Sequence, residues 1–296
     1  MSGFVRQHTT VNAFSCSDSW VILSPIEQSI KQKIEAVGTP LKDWDIQINY
    51  GIKTGFNDAF IITTEKKDEI LSKCTTEQER EKTAQLIRPI LRGRDIKRYC
   101  YEWAGLWLIC TFPSRHYDIE EYPTVKNYLL SYGKERLEQT GQTYKINGET
   151  IKARKKTSNK WFEVQDSIAY WEDLDKPKIV WGNLNLKGAY SYAPKGMFVN
   201  APSPFIATDN VALLHILNSK IADYYIQSLG VTRNGGYFEY KPMFVAQLPV
   251  PMTGLENLKT FNTQPSREEE GEIATIIYQI YGLSPDEIDF IEDLCI

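Results

Sequence analysis

Histidine and paired cysteine are scarce in this chain. Its 296 residues include three histidines, His8, His116 and His215, far apart in sequence, and five cysteines, Cys16, Cys74, Cys100, Cys110 and Cys295, none in a C-x-x-C pair. An odd cysteine count without that spacing argues against a zinc site or a disulfide scaffold, and it fits packing residues in a reducing cytoplasm. Three scattered histidines argue against a metal cluster or a histidine-based acid–base pair. No apolar run comes near the roughly 18 residues a membrane helix needs, and no secretory signal opens the chain, so no membrane partner is expected.

Catalytic signatures are missing too. Adenine-N6 methyl transfer needs a contiguous Asn/Asp/Ser-Pro-Pro-aromatic loop; residues 200–205 (NAPSPF) carry the right types at the wrong spacing. A magnesium nuclease needs Pro-Asp followed by Glu-x-Lys to set carboxylates around the ion, and nothing of that kind follows Pro285-Asp286. No G-x-S-x-G, P-loop or G-x-G-x-x-G is found either. The expectation is a chain without catalytic residues, metal or cofactor of its own.

What is present is enough for a folded body, since 42% of the residues are hydrophobic. The net charge of −4 is unevenly spread. Residues 265–296 hold nine acids against Arg267 alone, a net −8 that leaves the rest of the chain at +4. Within that basic remainder, residues 88–99 (RPILRGRDIKRY) set Arg88, Arg92, Arg94, Lys97 and Arg98 against Asp95. Ile90, Leu91 and Ile96 can anchor the segment, and Gly93 lets its backbone pass close to a neighbour. Residues 141–161 oppose Lys145, Lys152, Arg154, Lys155, Lys156 and Lys160 with Glu149 alone, and end on Trp161. Cations interleaved with aromatics suit phosphate neutralisation. The plainer alternatives are a solvated turn for the first run, and for the second a flexible insertion whose aromatics pack in the core.

Periodicity predicts helices over 24–36, within 66–86, over 119–138 from near Pro123, over 209–229 capped by Asp209, and over 269–281 and 285–294 with Gly282 between them. Strands are predicted at 106–112, 177–184, around Tyr190 and Tyr192, at 198–200 and at 245–251. Ile46, Ile48 and Tyr50 lead into a turn with two glycines and then into 61–64, which predicts a hairpin with Lys53, Thr54 and Asn57 at its tip.

Five blocks occur in order: GIKTGFNDAFII (51–62), LIRPILRGRDIKRY (86–99), KPKIVWGNL (176–184), LLHILNSKIADYYI (213–226) and RNGGYFEYKPMFVAQLPVP (233–251). In that order they resemble the TaqI-type specificity domain, the target recognition domain at the C-terminal end of type IIG restriction-modification enzymes and related N6-adenine DNA methyltransferases. The resemblance extends over roughly 20–290, and several spaced blocks are more specific than one short motif. It implies an α+β fold: a twisted β-rich recognition core with packed helices and a C-terminal helical segment. The expected organisation is a loose leader at 1–18, the recognition domain at 19–252 and an acidic helical segment at 253–296.

The resemblance also implies double-stranded DNA as partner, with methyltransferase and nuclease domains in cis or in trans. S-adenosylmethionine and magnesium would belong to those domains, and this chain would be a fragment or a separately encoded specificity piece. Phosphate contacts are expected from Arg92, Arg94, Lys97, Arg98, Lys152, Arg154, Lys155, Lys156 and Lys160. Base readout is placed on Lys53, Thr54 and Asn57, on Asn183, Asn185 and Lys187, and on Arg233, Asn234 and Tyr237. Asn pairs with adenine edges, Arg and Lys with guanine, and neighbouring glycines let a loop enter a groove. Two other readings stay open: a small enzyme of unrecognised class using the polar residues around Asn183 or Arg233, and a protein-interaction scaffold using the acidic tail.

Overall fold

A computed structural model describes residues 23–230 and 232–294; the expected leader at 1–18 lies outside them. The fold is α+β and divides into two compact units, one formed by residues 45–210 and 232–242, the other by the described residues up to 44, 211–230 and 243–294.

The larger unit holds two four-stranded sheets. In the first, strand Lys178–Trp181 lies between Tyr190–Ala193 and Pro204–Ile206, and Ile48–Tyr50 closes the far edge; all pairings are antiparallel. All four residues of Lys178–Trp181 are buried, as expected of an inner strand. The second sheet runs Phe198–Val199, Ile87–Leu91, Leu106–Ile109, Ile61–Thr63, the first pair parallel and the others antiparallel. One hydrophobic core joins residues of both sheets, among them Ile90, Leu108, Val180, Val199 and Phe205. Strands Ile48–Tyr50 and Ile61–Thr63 therefore pair with different partners in different sheets. The hairpin expected at Lys53, Thr54 and Asn57 is corrected: a short helix, Asn57–Phe60, turns the chain from one sheet to the other. The helix expected over 119–138 is also divided, into Pro123–Leu130 and Lys134–Leu137, by Gly133 at φ +86°.

The smaller unit is mostly helical. Helix Pro25–Val37 starts with a capping box, Ser24 and Glu27 each bonding the other's main-chain N–H, and buries Ile30 and Ile34. Its chain continues into Thr39–Pro40, which pairs antiparallel with Pro249–Val250. The single helix expected over 209–229 is two, Val211–Leu217 and Lys220–Leu229. Ser219 breaks the run because its hydroxyl accepts from the Ala222 N–H at 3.2 Å and caps a new helix. Residues 245–251 are extended only at Pro249–Val250, after a helical turn at Pro242–Val245.

The acidic segment forms helices Arg267–Ile280 and Pro285–Leu294. These fall in the same unit as residues 25–44, whereas the sequence divides the chain at 252/253. The reason is specific contact. Glu287 accepts from Lys33 Nζ and from the Ser29 hydroxyl, both at 2.6 Å, and the Tyr281 hydroxyl donates to Pro249 O at 2.8 Å. Burial raises the Glu287 pKa, but the bonds from Lys33, Ser29 and the Ser284 N–H outweigh it and hold the carboxyl near about 2.

Candidate nucleic-acid interface

The two C-terminal blocks of candidate readers meet in one small ribbon. Leu184–Asn185 pairs antiparallel with Phe238–Glu239, in register Asn185 to Phe238 and Leu184 to Glu239. The ribbon hangs from the first sheet through Trp181, whose indole N–H donates to Tyr240 O at 2.7 Å, and through the Tyr240 N–H, which donates to Asn183 O at 2.9 Å. At its open end the Arg233 N–H donates to Tyr237 O at 2.7 Å, closing a turn around Gly235 and Gly236. Both glycines have φ near +80°, a region that side chains strain to enter, so the turn needs them.

A cleft of about 460 Å³ opens between the two arms, lined by Asn183, Leu184, Thr232, Arg233, Asn234 and Glu239. Asn183 Oδ1 is buried there without a hydrogen-bond partner among the described residues. Glu239 accepts from Arg233 Nε at 2.7 Å and pairs with Lys241 Nζ at 2.7 Å. The ammonium of Lys241, then the guanidinium of Arg233, hold its carboxyl below the usual carboxylate range. The carboxylate therefore holds the Nε and Nη2 edge of the Arg233 guanidinium, Nη2 at 2.6 Å, while the residue itself stays exposed. Asn185 Nδ2 donates to Gly182 O at 3.1 Å, and Asn234, Lys187 and Tyr237 are exposed on the same ribbon and the loops that flank it.

The Lys53, Thr54 and Asn57 group lies at a separate turn. Lys53 and Asn57 are exposed, but Thr54 is fully buried; its hydroxyl donates to Asn57 Oδ1 at 2.6 Å and accepts from the Phe56 N–H at 3.1 Å. Thr54 is thus corrected from base reader to the residue that shapes the turn and orients Asn57.

The basic run at 88–99 forms strand Ile87–Leu91 and a short 3-10 turn, Gly93–Asp95. A Cβ on Gly93 would stand 2.9 Å from Ser203 Oγ, the close approach expected there. Arg92 grips Asp95 in a fork, Nη2 to Oδ1 at 2.7 Å and Nε to Oδ2 at 3.0 Å, so its guanidinium is already committed. Burial raises the Asp95 pKa, but Arg92 and its main-chain N–H outweigh that and keep the carboxyl below its ordinary value. Arg94, Lys97 and Arg98 are exposed beside this fork. Lys97 Nζ donates to Arg94 O at 3.0 Å, and the Arg98 guanidinium lies 4.6 Å from the Tyr99 ring centre.

Residues 141–161 are more regular than their composition suggests, with Thr143–Ile146 and Glu149–Lys152 forming an antiparallel hairpin. Lys145, Lys152, Lys155, Lys156 and Lys160 are exposed. Arg154 is not. It is 5% accessible and donates to four carbonyls, those of Leu137, Thr54, Glu163 and Trp161, at 2.7–2.9 Å. The expectation of a phosphate contact at Arg154 is corrected: a cation surrounded by main-chain oxygens holds loops together. Glu239 is the partner the sequence reading missed. Its signal was an acid six residues beyond Arg233 across a Gly-Gly turn, the spacing at which two ends of a tight turn face each other.

Among the described residues no group of three or more His, Cys, Asp or Glu side chains could hold a metal, and no helix is long and apolar enough to cross a membrane. The α+β fold is shared with two solved restriction enzymes. One is the type IIL restriction-modification enzyme MmeI, solved in complex with DNA, at 13% identity, TM-score 0.52, over 87% of this chain and 36% of that one. The other is the type IIG restriction endonuclease BpuSI, at 13% identity, TM-score 0.55, over 91% of this chain and 32% of that one. The chain thus spans about a third of the length of these enzymes. The model of the TaqI-like C-terminal specificity domain matches residues 88–250, more than half of the chain, and the chain belongs to that family. No curated protein matches it.

Proposed function

We propose that this chain reads DNA sequence for a restriction-modification system and carries out no chemistry itself, the methyltransferase and nuclease being supplied in cis or in trans. S-adenosylmethionine and magnesium are needed by those partners; double-stranded DNA in the cytoplasm is what this chain meets. One observation carries the reading: the ribbon gathers Asn183, Arg233 and Asn234, from two distant blocks, at one polar cleft, with Asn185 on the same ribbon. An amide acceptor beside a guanidinium donor matches the donor and acceptor code of base edges in the major groove. Arg94, Lys97, Arg98 and the exposed Lys152, Lys155, Lys156 and Lys160 would supply the sequence-independent phosphate contacts.

The test is a selection of duplexes from a random pool by the purified chain, followed by binding of Arg233→Ala and Asn185→Ala variants. Each variant should lose about 1–3 kcal/mol on the selected site and little on random duplex. Equal losses on both would make these residues phosphate contacts or scaffold, and absence of salt-dependent duplex binding would end the reading. Supplied with S-adenosylmethionine and magnesium, the same preparation should neither methylate nor cut; methyl transfer by the pure chain would refute the non-catalytic part.

A further inference from the structure

A second cleft, in the larger unit and lined by none of the residues assigned above, has a different chemistry. Its volume is about 170 Å³. Its floor is apolar and closed: Leu86, Cys110, Phe112 and Phe198 are all buried, the two phenylalanine rings stacked at 6.2 Å and 16°. Cys110 adds no charge there, since burial pushes its thiol pKa far up. Its rim is cationic. Lys82, Arg88 and Arg115 border the opening against the single acid Asp175. Lys82 pairs with Glu121 at 2.8 Å and Asp175 lies 3.9 Å from Lys195, but no carboxylate lies within ion-pair distance of Arg88 or Arg115 among the contacts of the described residues.

Arg115 is instead held by rings. Its guanidinium lies 4.0 Å from the centre of Trp171 and 5.8 Å from that of Tyr117, and both rings line the cleft. A guanidinium over an indole face still has N–H donors at its edge that can serve an oxyanion. Cavity size narrows the occupant. An apolar cavity of about 150 Å³ takes one benzene ring, so this floor takes one six-membered ring, leaving anything attached to that ring at the cationic rim.

We propose that this cleft binds a pyrimidine nucleotide, the base on the Phe112 and Phe198 floor and the phosphate between Arg88 and Arg115. The nucleotide can be free or part of an unpaired strand; the chemistry recognised is the same. Arg88 and Arg115 bind the phosphate, while Trp171 and Tyr117 position Arg115.

Isothermal titration of the full chain with deoxycytidine monophosphate tests it, alongside deoxycytidine, inorganic phosphate and deoxyguanosine monophosphate. The pyrimidine nucleotide should bind saturably, and each of the other three at least about tenfold more weakly. Arg115→Gln and Arg88→Gln should each weaken nucleotide binding about tenfold or more, with exposed Lys259→Gln unchanged and thermal midpoints confirming that the variants fold. A single-stranded oligonucleotide that displaces the mononucleotide marks a strand as the source; one that does not marks the free nucleotide. Absence of saturable binding overturns the proposal, as does phosphate or the purine nucleotide binding as tightly, or affinity unchanged in both arginine variants. These titrations contain no duplex, so their failure leaves the duplex-reading test standing.

Discussion

Arg154 Nη1 donates to the main-chain oxygen of Thr54 at 2.9 Å, across 100 positions of sequence. Both residues belong to polar runs whose composition suggests contact with DNA, and each is instead buried against the other. The bond clamps the turn that carries Lys53 and Asn57 to the end of the basic hairpin, so two candidate contact surfaces share one support.

Arg154→Ala should therefore act on stability. It strips hydrogen bonds from four carbonyls at once, and a loss of about 3–5 kcal/mol is expected. Urea unfolding measures the loss, and the logarithmic salt dependence of duplex binding, taken where the variant is still folded, should match that of the parent chain. A slope lowered by a full unit would return Arg154 to the DNA surface.

The exposed cations should behave in the opposite way. Replacing any one of Arg94, Lys97, Arg98, Lys152, Lys155, Lys156 or Lys160 by Ala should leave stability within about 0.5 kcal/mol and weaken all duplexes alike. For each true phosphate contact the slope of log K against log salt should fall by about one. Slopes unchanged across the whole set would remove both basic segments from the interface.

Lys178 predicts an alkaline effect. It is fully buried in the middle of the first sheet, donates to Met197 O at 2.9 Å, and burial lowers its pKa from 10.5 to about 8 despite Asp175 nearby. Between those two pH values the unfolded chain holds a proton that the folded chain has released, so stability rises with pH across that window and is lost as pH falls through 8. Lys178→Met should flatten the rise between pH 8 and 10, which for this shift is on the order of 3 kcal/mol in full. Chemical unfolding at several pH values reads it directly, and an equal rise in the variant would show that another group is responsible.

Glu287 predicts an acid effect in the smaller unit. Its carboxyl is held near about 2 in the folded chain against 4.5 when free, so its contribution is complete above 4.5 and is lost as pH falls toward 2. Glu287→Gln should cost about 1–3 kcal/mol at neutral pH. It should also lessen the acid dependence of unfolding below pH 4.5. A variant as stable as the parent at pH 7 would mean that the Lys33 and Ser29 contacts contribute nothing.

The sequence made the element types plain wherever local chemistry decides them. Ser24-Pro25 opens its helix by hydrogen bonds close in sequence, and the Ile179-Val180-Trp181 run lies in a strand as expected over 177–184. Long-range pairing was hidden. Nothing local to Ile48–Tyr50 shows that it will pair with Pro204–Ile206 rather than fold back on Ile61–Thr63, because a short strand offers the same ladder to any partner. The same limit separates Arg154 from Lys155. Both are cations in one basic run, and only the carbonyls that surround Arg154, contributed by four different places in the chain, decide which of them is buried.

The pairing of Leu184–Asn185 with Phe238–Glu239 has a consequence for engineering. The residues at the cleft come from two segments about fifty positions apart, and the register of Asn185 against Phe238 together with the bond from the Tyr240 N–H to Asn183 O fixes one arm relative to the other. A chimera that receives only the 233–239 loop of a relative inherits half of a matched pair. Exchange of specificity requires transplanting both arms as a cassette, and a single-arm graft should bind duplex without choosing among sequences.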